Sequence, residues 1–254
     1  MKVLCFLSSH KKNGITGTAL KILLSNLSEN CKYEVIYLDD YKIEPNKKNE
    51  SSIVLEELYS KMKKADAYVF AAPTYWRELS GLMKHFFDCL RPKIVHFKNN
   101  GDTIPGDLKG KKYLSIVSCY TSSLENFFTG VTDDSFKTID RVMSAAGTVK
   151  IGEVVITNTF KRKTISNNKI KILKKYSRKI DSKKKRINNT MKRYIQLFFM
   201  ISVMSLITMA IQKFFSNILS TQNFWINYLS FTIIFFILLS LILHFFTFVK
   251  HRRR

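Results

Sequence analysis

Three short stretches of this 254-residue sequence gather hydroxyl, amide, basic and aromatic residues where the chain turns. The first is SSHKKNGITGT, residues 8–18. Hydroxyls, a glycine and backbone N–H groups meeting at the start of a helix make an anion site. The spacing is neither that of a Walker A loop nor G-x-G-x-x-G, and alone it would also serve as a polar loop with a Ser/Thr cap. The second is PTYWRELSG, residues 73–81, where Pro, Tyr and Trp at the end of an apolar run offer a platform for a planar ligand. Alone it would equally be a packed corner. The third is SCYTSS, residues 118–123, a cluster of small polar groups closing another apolar run. In order, the three describe one site with a phosphate end and an aromatic end. Cys5, Cys31, Cys89 and Cys119 are scattered, with no C-x-x-C. They carry no zinc or cluster spacing and read as reduced thiols of a cytosolic compartment.

The elements that must position these loops alternate strand and helix. MKVLCFLS, KYEVIYLDD, DAYVFAAP, KKYLSIVS and GTVKIGEVVIT are strand-like. TALKILLSNLSEN, SIVLEELYSKMKKA and SGLMKHFFDCL have helical periodicity, and residues 122–146 are mainly helical. Ser51 and Ser52 are candidate caps of the second helix, Pro73 is expected to stop the third strand, and Gly101, Pro105, Gly106 and Gly110 mark a loop before the fourth. The alternation predicts an α/β domain over residues 1–160, a doubly wound five-stranded parallel sheet with its ligand beyond the carboxyl ends of the strands.

Charge divides the chain. Residues 161–254 hold 20 of the 42 basic residues and one acid, Asp181, whereas residues 1–160 carry 22 basic and 18 acidic residues. Residues 194–212 and 228–249 contain no charged residue, and as helices they would run about 28 and 33 Å, enough for two membrane spans joined by a turn at 213–227. Tyr194, Trp225 and Tyr228 fall at the interfaces, and His244 lies beside the basic tail. The basic stretches 161–193 and 250–254 place both ends in the cytoplasm and the turn outside. Within 161–193, Ile170, Leu173, Tyr176 and Ile180 recur at helical spacing, which predicts a basic amphipathic helix on an anionic leaflet. A nucleic-acid patch is the rival reading of that charge. The first residues lack a signal-peptide core and cleavage site, so the first domain is expected in the cytoplasm.

Residues 1 to about 155 resemble the flavodoxin-like NADPH-dependent FMN reductase family, which includes NAD(P)H:quinone oxidoreductases and iron–sulfur flavoproteins. SSHKKNGIT follows the family's G-S-x-R-x-x-S/G-N-T loop, and ADAYVFAAPTYWRELSGLMKHFFDCLR follows its A-D-a-i-v-f-x-x-P-x-Y-W-x-x-x-S-G-x-x-K-x-F-x-D-R motif. The resemblance implies a sheet of order 2-1-3-4-5. It sets Ser9, Lys11, Asn13 and Thr16 at a phosphate, with Lys11 where Arg is usual. It sets Pro73, Thr74, Tyr75 and Trp76 along the flavin ring, and Ser118, Tyr120 and Thr121 by the ring or ribityl chain. The implied cofactor is FMN, the donor NADPH or NADH, the acceptor quinone-like or another small molecule, and the assembly a homodimer; no nucleic acid partner is implied. No catalytic side chain is named, because the hydride chemistry belongs to the flavin. YKIEPNKKNE has no cysteine where iron–sulfur members place their cluster, and Cys89 follows Asp88 where the family has Arg, with Arg91 nearby. The domain also lacks the acidic character and T-x-T-G-x-T loop of electron-carrier flavodoxins. The alternative function is an FMN-binding electron-transfer or redox-sensing module without turnover of free NAD(P)H, and a third is a membrane scaffold on a degenerate domain.

Overall fold

The computed structural model describes residues 1–45, 52–99, 101, 103–160, 164–182, 190–214 and 223–252. They form two compact units, Met1–Lys183 and Lys184–Arg254. In chain order the first unit runs β1 (Lys2–Leu7), α1 (Ile15–Leu24), β2 (Lys32–Tyr37), α2 (Ile53–Lys64), β3 (Ala67–Tyr75), β4 (Glu78–Leu79), α3 (Gly81–Ile94), β5 (Val95–Phe97), β6 (Thr103–Pro105), β7 (Lys112–Ser118), α4 (Ser123–Thr129), α5 (Asp133–Ala145), β8 (Val149–Ile156) and α6 (Asn167–Asp181). The five long strands are parallel and lie in the order β2-β1-β3-β7-β8. Leaving aside the short strands, this is the expected 2-1-3-4-5.

Both faces of the sheet are covered, so the central strands are apolar throughout rather than alternating. In β3, Tyr68, Phe70 and Ala72 face the cluster built from α2, α3 and α5. Ala67, Val69 and Ala71 face the one built from α1 and α6. Ser52 caps α2, its hydroxyl accepting from the Leu55 N–H at 3.4 Å; Ser51 lies outside the described residues.

Several expectations are corrected. Pro73 does not stop the third strand. It pairs in register with Ser118 at the end of β7, and β3 runs on to Tyr75 before turning back into β4. The loop before the fourth long strand contains a small antiparallel hairpin, β5–β6. The stretch 122–146 is mainly helical as expected, in two helices parted where Gly130 takes a left-handed conformation, φ 61°.

The largest correction concerns the basic stretch after residue 160. Its helix forms as α6, but the apolar stripe meets protein and not lipid. Leu173 and Ile180 are fully buried against α1 and β8, with Ile170 and Tyr176 beside them. Gly152 of β8 makes room for this: a Cβ there would lie 2.2 Å from the Tyr176 ring. The buried Ser177 hydroxyl donates to the Leu23 carbonyl at 2.7 Å, and an Asp181 carboxylate oxygen accepts from the Ser28 N–H at 2.9 Å. The first unit therefore closes at Lys183 and not at residue 160.

The second unit comprises α7 (Thr190–Phe214) and α8 (Phe224–Arg252). Most of the expected turn 213–227 lies outside the described residues, and α8 begins at Phe224, ahead of the expected Tyr228. Among the described residues one segment, Phe224–Leu241 with mean hydropathy 2.0, is long and apolar enough to cross a membrane, whereas Ile201–Phe214 is a shorter apolar helix. Of the two expected spans, one is both long and apolar enough. The helices are joined by Gln212, whose amide donates to the Asn227 carbonyl and side-chain oxygens, each at 3.0 Å, and to the Ser230 hydroxyl at 2.7 Å.

Candidate functional site

Strands β1, β3 and β7 are neighbours, and each ends in one of the three loops singled out above. The order of connections reverses between β1, which leads to β2, and β3, which leads to β7; such switch points carry the ligand crevices of doubly wound sheets.

The first loop is braced from several directions. Ser8 donates its N–H to Ala71 at 2.9 Å, and its buried hydroxyl meets that of Ser80, just before α3, at 2.6 Å. The Ser9 hydroxyl donates to the Lys11 carbonyl at 2.8 Å, and the Tyr37 hydroxyl donates to the Ser9 carbonyl. Burial and then Asp39 push the Tyr37 phenol up, so it stays a donor through the neutral range. Lys12 pairs with Asp40 at 2.6 Å and sits 4.6 Å above the Tyr37 ring. Lys21 donates to the Asn13 side-chain oxygen at 2.7 Å. Gly14 caps α1 with no side-chain bond, and no acid lies in the helix's first turn. The first N–H groups of a helix have no partner within it, and the helix dipole adds partial positive charge there. The Lys12 carbonyl sits so close to α1 that a Cβ on Gly17 would be 2.0 Å from its oxygen, so only glycine lets loop and helix meet in this way.

Thr16 and Ser118, 102 residues apart and both buried, join their hydroxyls at 2.7 Å, which ties the first loop to the third. Beyond Ser118 the third loop splits. Tyr120 is 65% exposed, whereas Thr121 is turned inward, its hydroxyl 3.2 Å from the Cys119 sulfur and its carbonyl accepting from the Asn158 N–H at 2.7 Å.

The second loop is a two-residue turn between the paired residues Tyr75 and Glu78. Its central residues, Trp76 and Arg77, have φ of 53° and 67°. Two positive φ values are the condition of a type I′ hairpin turn, normally met by Asn-Gly or Gly-Gly. Trp and Arg in that conformation are strained, and such strain clusters at binding sites. The Arg77 guanidinium donates to the Thr129 carbonyl at the end of α4, holding the turn in place. Pro73 is buried, and Thr74 is buried with its hydroxyl 2.8 Å from that of Ser135 on α5. Tyr75 is half-exposed, and the His10 ring of the first loop stacks on it at 5.4 Å and 25°. Trp76 is 98% exposed and stands clear of the body.

The structure thus brings Ser9, Lys11, Asn13, Thr16, Pro73, Tyr75 and Ser118 to one end of the sheet. It directs Thr74 and Thr121 into protein hydrogen bonds and lets Trp76 and Tyr120 project. Residue types alone did not flag His10, the Ser8–Ser80 bridge or the Arg77 strap. Gly17 stood in the first motif without a role; its signal was a glycine inside a helical pattern. Beside Ile15 a small polar pocket is lined by Ser123, Thr157, Thr159, Thr164 and Lys169, and burial lowers the Lys169 pKa. The helix α4 buries no residue and exposes Leu124, Phe127 and Phe128 beside the strained turn. All four cysteines are buried and free, and no group of three metal-ligating side chains occurs among the described residues.

Residues 1–122 match the sequence model of the NADPH-dependent FMN reductase family. No curated protein sequence matches the chain. Among solved structures, the chain is similar to the NAD(P)H:quinone oxidoreductase from Methanothermobacter marburgensis at 16% identity and a TM-score of 0.56, covering 74% of this chain and 99% of that one. It is similar to the FMN-dependent NADH-azoreductase from Bacillus anthracis, solved in complex with FMN, at 16% identity and a TM-score of 0.54, covering 71% and 99%. The protein Smu.1420 from Streptococcus mutans gives 16% identity and a TM-score of 0.57, covering 72% and 100%. Likenesses at this identity establish the flavodoxin-like fold.

Proposed function

We propose, from the match of residues 1–122 to the sequence model of the NADPH-dependent FMN reductase family, that this chain is an NAD(P)H-dependent FMN oxidoreductase tethered to a membrane by its own C-terminal helices. The observation that carries the reading is the Thr16–Ser118 bond, which draws an uncapped helix start and a small-polar loop together beside a strained aromatic turn. The residues present fit FMN. The α1 N-terminus has no side-chain cap, no acid in its first turn and Lys11 in the loop before it, as a phosphate requires. Tyr75 offers an aromatic face, on which a ring already stacks, as an isoalloxazine requires.

When bound, FMN supplies the capacity to take a hydride from NAD(P)H and pass electrons to a second substrate. The chain's own residues bind and orient. Ser9, Lys11, Asn13 and Thr16 hold the phosphate end with the α1 backbone. Pro73, Thr74 and Tyr75 hold the ring end, Thr74 through its backbone because its hydroxyl is engaged by Ser135. Ser118, Tyr120 and Thr121 lie between, Thr121 likewise through its backbone. Trp76 and Tyr120 shape the outer face, where a quinone-like or azo acceptor would sit, as the names of the structural neighbours suggest. The exposed Leu124, Phe127 and Phe128 supply apolar surface for a second copy of the chain.

The tether rests on the apolar segment Phe224–Leu241, on the Gln212 bonds that hold α7 to α8, and on the basic residues flanking both helices. The test is the absorbance spectrum of the purified protein and its bleaching by NADPH or NADH. Chromatography of the released cofactor should give FMN. A protein without flavin that binds no added FMN is not this enzyme. One that binds FMN but is not bleached by either nucleotide is the electron-transfer module instead.

A further inference from the structure

The helix α6 has two faces of opposite character. Leu173, Ser177 and Ile180 are buried against α1 and β8. On the other side Lys171, Lys174, Lys175, Arg178 and Lys179 are all exposed, at the i, i+3, i+4, i+7 and i+8 spacing that makes one stripe. Among the described residues none of the five is in an ion pair with a carboxylate. The one acid on the helix, Asp181, is engaged by the Ser28 N–H. Like charges three and four residues apart repel, so the fold carries a fixed, uncompensated row of cations.

We propose that this face is a docking surface for an anionic lipid bilayer, held by charge and not by insertion. The inference rests on the reading of α7 and α8 as a membrane tether, because eight residues of chain separate Asp181 from Thr190 and keep the stripe near any bilayer the tether enters. Insertion is excluded by packing. Exposing the apolar face of α6 would require breaking the Ser177–Leu23 bond and lifting Tyr176 off Gly152. A surface that binds by charge alone is screened by salt and depends on the headgroups present. Ser166 and Lys169, at the start of α6, share a pocket with Ile15 at the start of α1. The stripe therefore begins at the flavin end of the sheet and runs down its flank. Docking along it leaves the site mouth opening along the headgroup region, where an amphipathic acceptor partitions.

The test uses the full-length chain reconstituted into phosphatidylcholine vesicles with or without about a third phosphatidylglycerol. Lysine acetylation is followed by mass spectrometry at Lys171, Lys174, Lys175 and Lys179. Lys84 and Lys137, on α3 and α5 across the sheet, serve as internal controls. The stripe should be labelled at least about threefold more slowly in the anionic vesicles, with the controls unchanged, and the difference should vanish at high salt. Equal labelling in both vesicles overturns the proposal. Stronger protection by duplex DNA in neutral vesicles than by anionic lipid also overturns it and makes the face a nucleic-acid surface. Alkaline extraction of the neutral vesicles reports on the tether separately. A chain released there lacks the tether, and its charge-dependent binding to anionic vesicles would still uphold the docking face.

Discussion

At the scale of single residues, the site depends on backbone positions more than on reactive side chains. Gly17 is the clearest case. An alanine Cβ would sit 2.0 Å from the Lys12 carbonyl oxygen, a backbone atom that cannot swing aside. Gly17→Ala should therefore displace the first loop and weaken FMN binding at least about tenfold, roughly 1.4 kcal/mol, while the circular dichroism stays that of the parent. Equal FMN affinity would show that the loop does not hold the phosphate. Trp76 is held at φ 53° and is 98% exposed. Trp76→Gly relieves left-handed strain but adds freedom to the unfolded chain, so stability should stay within about 1 kcal/mol of the parent. If Trp76 shapes the acceptor pocket, kcat/KM for a quinone should fall while FMN stays bound. Unchanged kinetics would remove Trp76 from the site. Buried thiols bear on stability at alkaline pH. Burial and then Asp181 push Cys31 up to about 11 from 9.0. The folded chain thus keeps a proton that the unfolded chain gives up, and this contribution to stability is full below about pH 9 and lost between about pH 9 and 11. Urea midpoints should fall over that window, and less steeply in Cys31→Ala. Of this residue-level picture, the three loops were legible because residue types cluster where strands end. The inward turn of Thr74 and Thr121 was not, since a hydroxyl's direction depends on partners such as Ser135 and Cys119 that lie far off or face inward.

At the scale of elements, the alternation of strand and helix was readable because each central strand is a continuous apolar run bounded by turn residues. The short β4 and the β5–β6 hairpin carry too few residues for any period. Pro73 continues the strand for a physical reason: proline lacks a donor but keeps its carbonyl, so it can lie at the end of a strand beside Ser118. The helix α6 shows the limit of amphipathic patterning. Its apolar stripe and basic stripe were both visible, but a stripe does not say whether lipid or a β-sheet will cover it. The signal for the sheet is Gly152, a glycine inside the last strand that admits the Tyr176 ring. If α6 is part of the domain core, Leu173→Ala should destabilise the domain by about 2–5 kcal/mol, as large-to-small changes at fully buried leucines do. Chemical denaturation in detergent measures it. A cost under about 0.5 kcal/mol, the level of an exposed substitution, would show that the helix does not rest on the sheet.

At the scale of the whole molecule, the two C-terminal helices set how many times the chain would cross a membrane. At 1.5 Å per residue, α7 and α8 are about 37 and 43 Å long. Both exceed the roughly 30 Å hydrocarbon core, although only Phe224–Leu241 is apolar enough by itself. Gln212 near the end of α7 would be costly against lipid. Its side-chain NH2 donates to Asn227 and Ser230 near the start of α8, and such bonds between helices contribute about 0.6 kcal/mol or more in a bilayer. That pairing of one helix's end with the next one's start is what a hairpin requires. The basic residues before α7 and after Val249 would hold both ends on the cytoplasmic side. The four native cysteines are buried, so an introduced cysteine can be read against a low background. With Asn223→Cys and, separately, a cysteine appended after Arg254, a membrane-impermeant maleimide on intact cells should label the first and not the second. If α7 does not cross and α8 alone does, the same two positions give the reverse pattern. If neither is labelled until the cells are broken, and alkaline washing strips the chain from the membranes, the tether itself is absent.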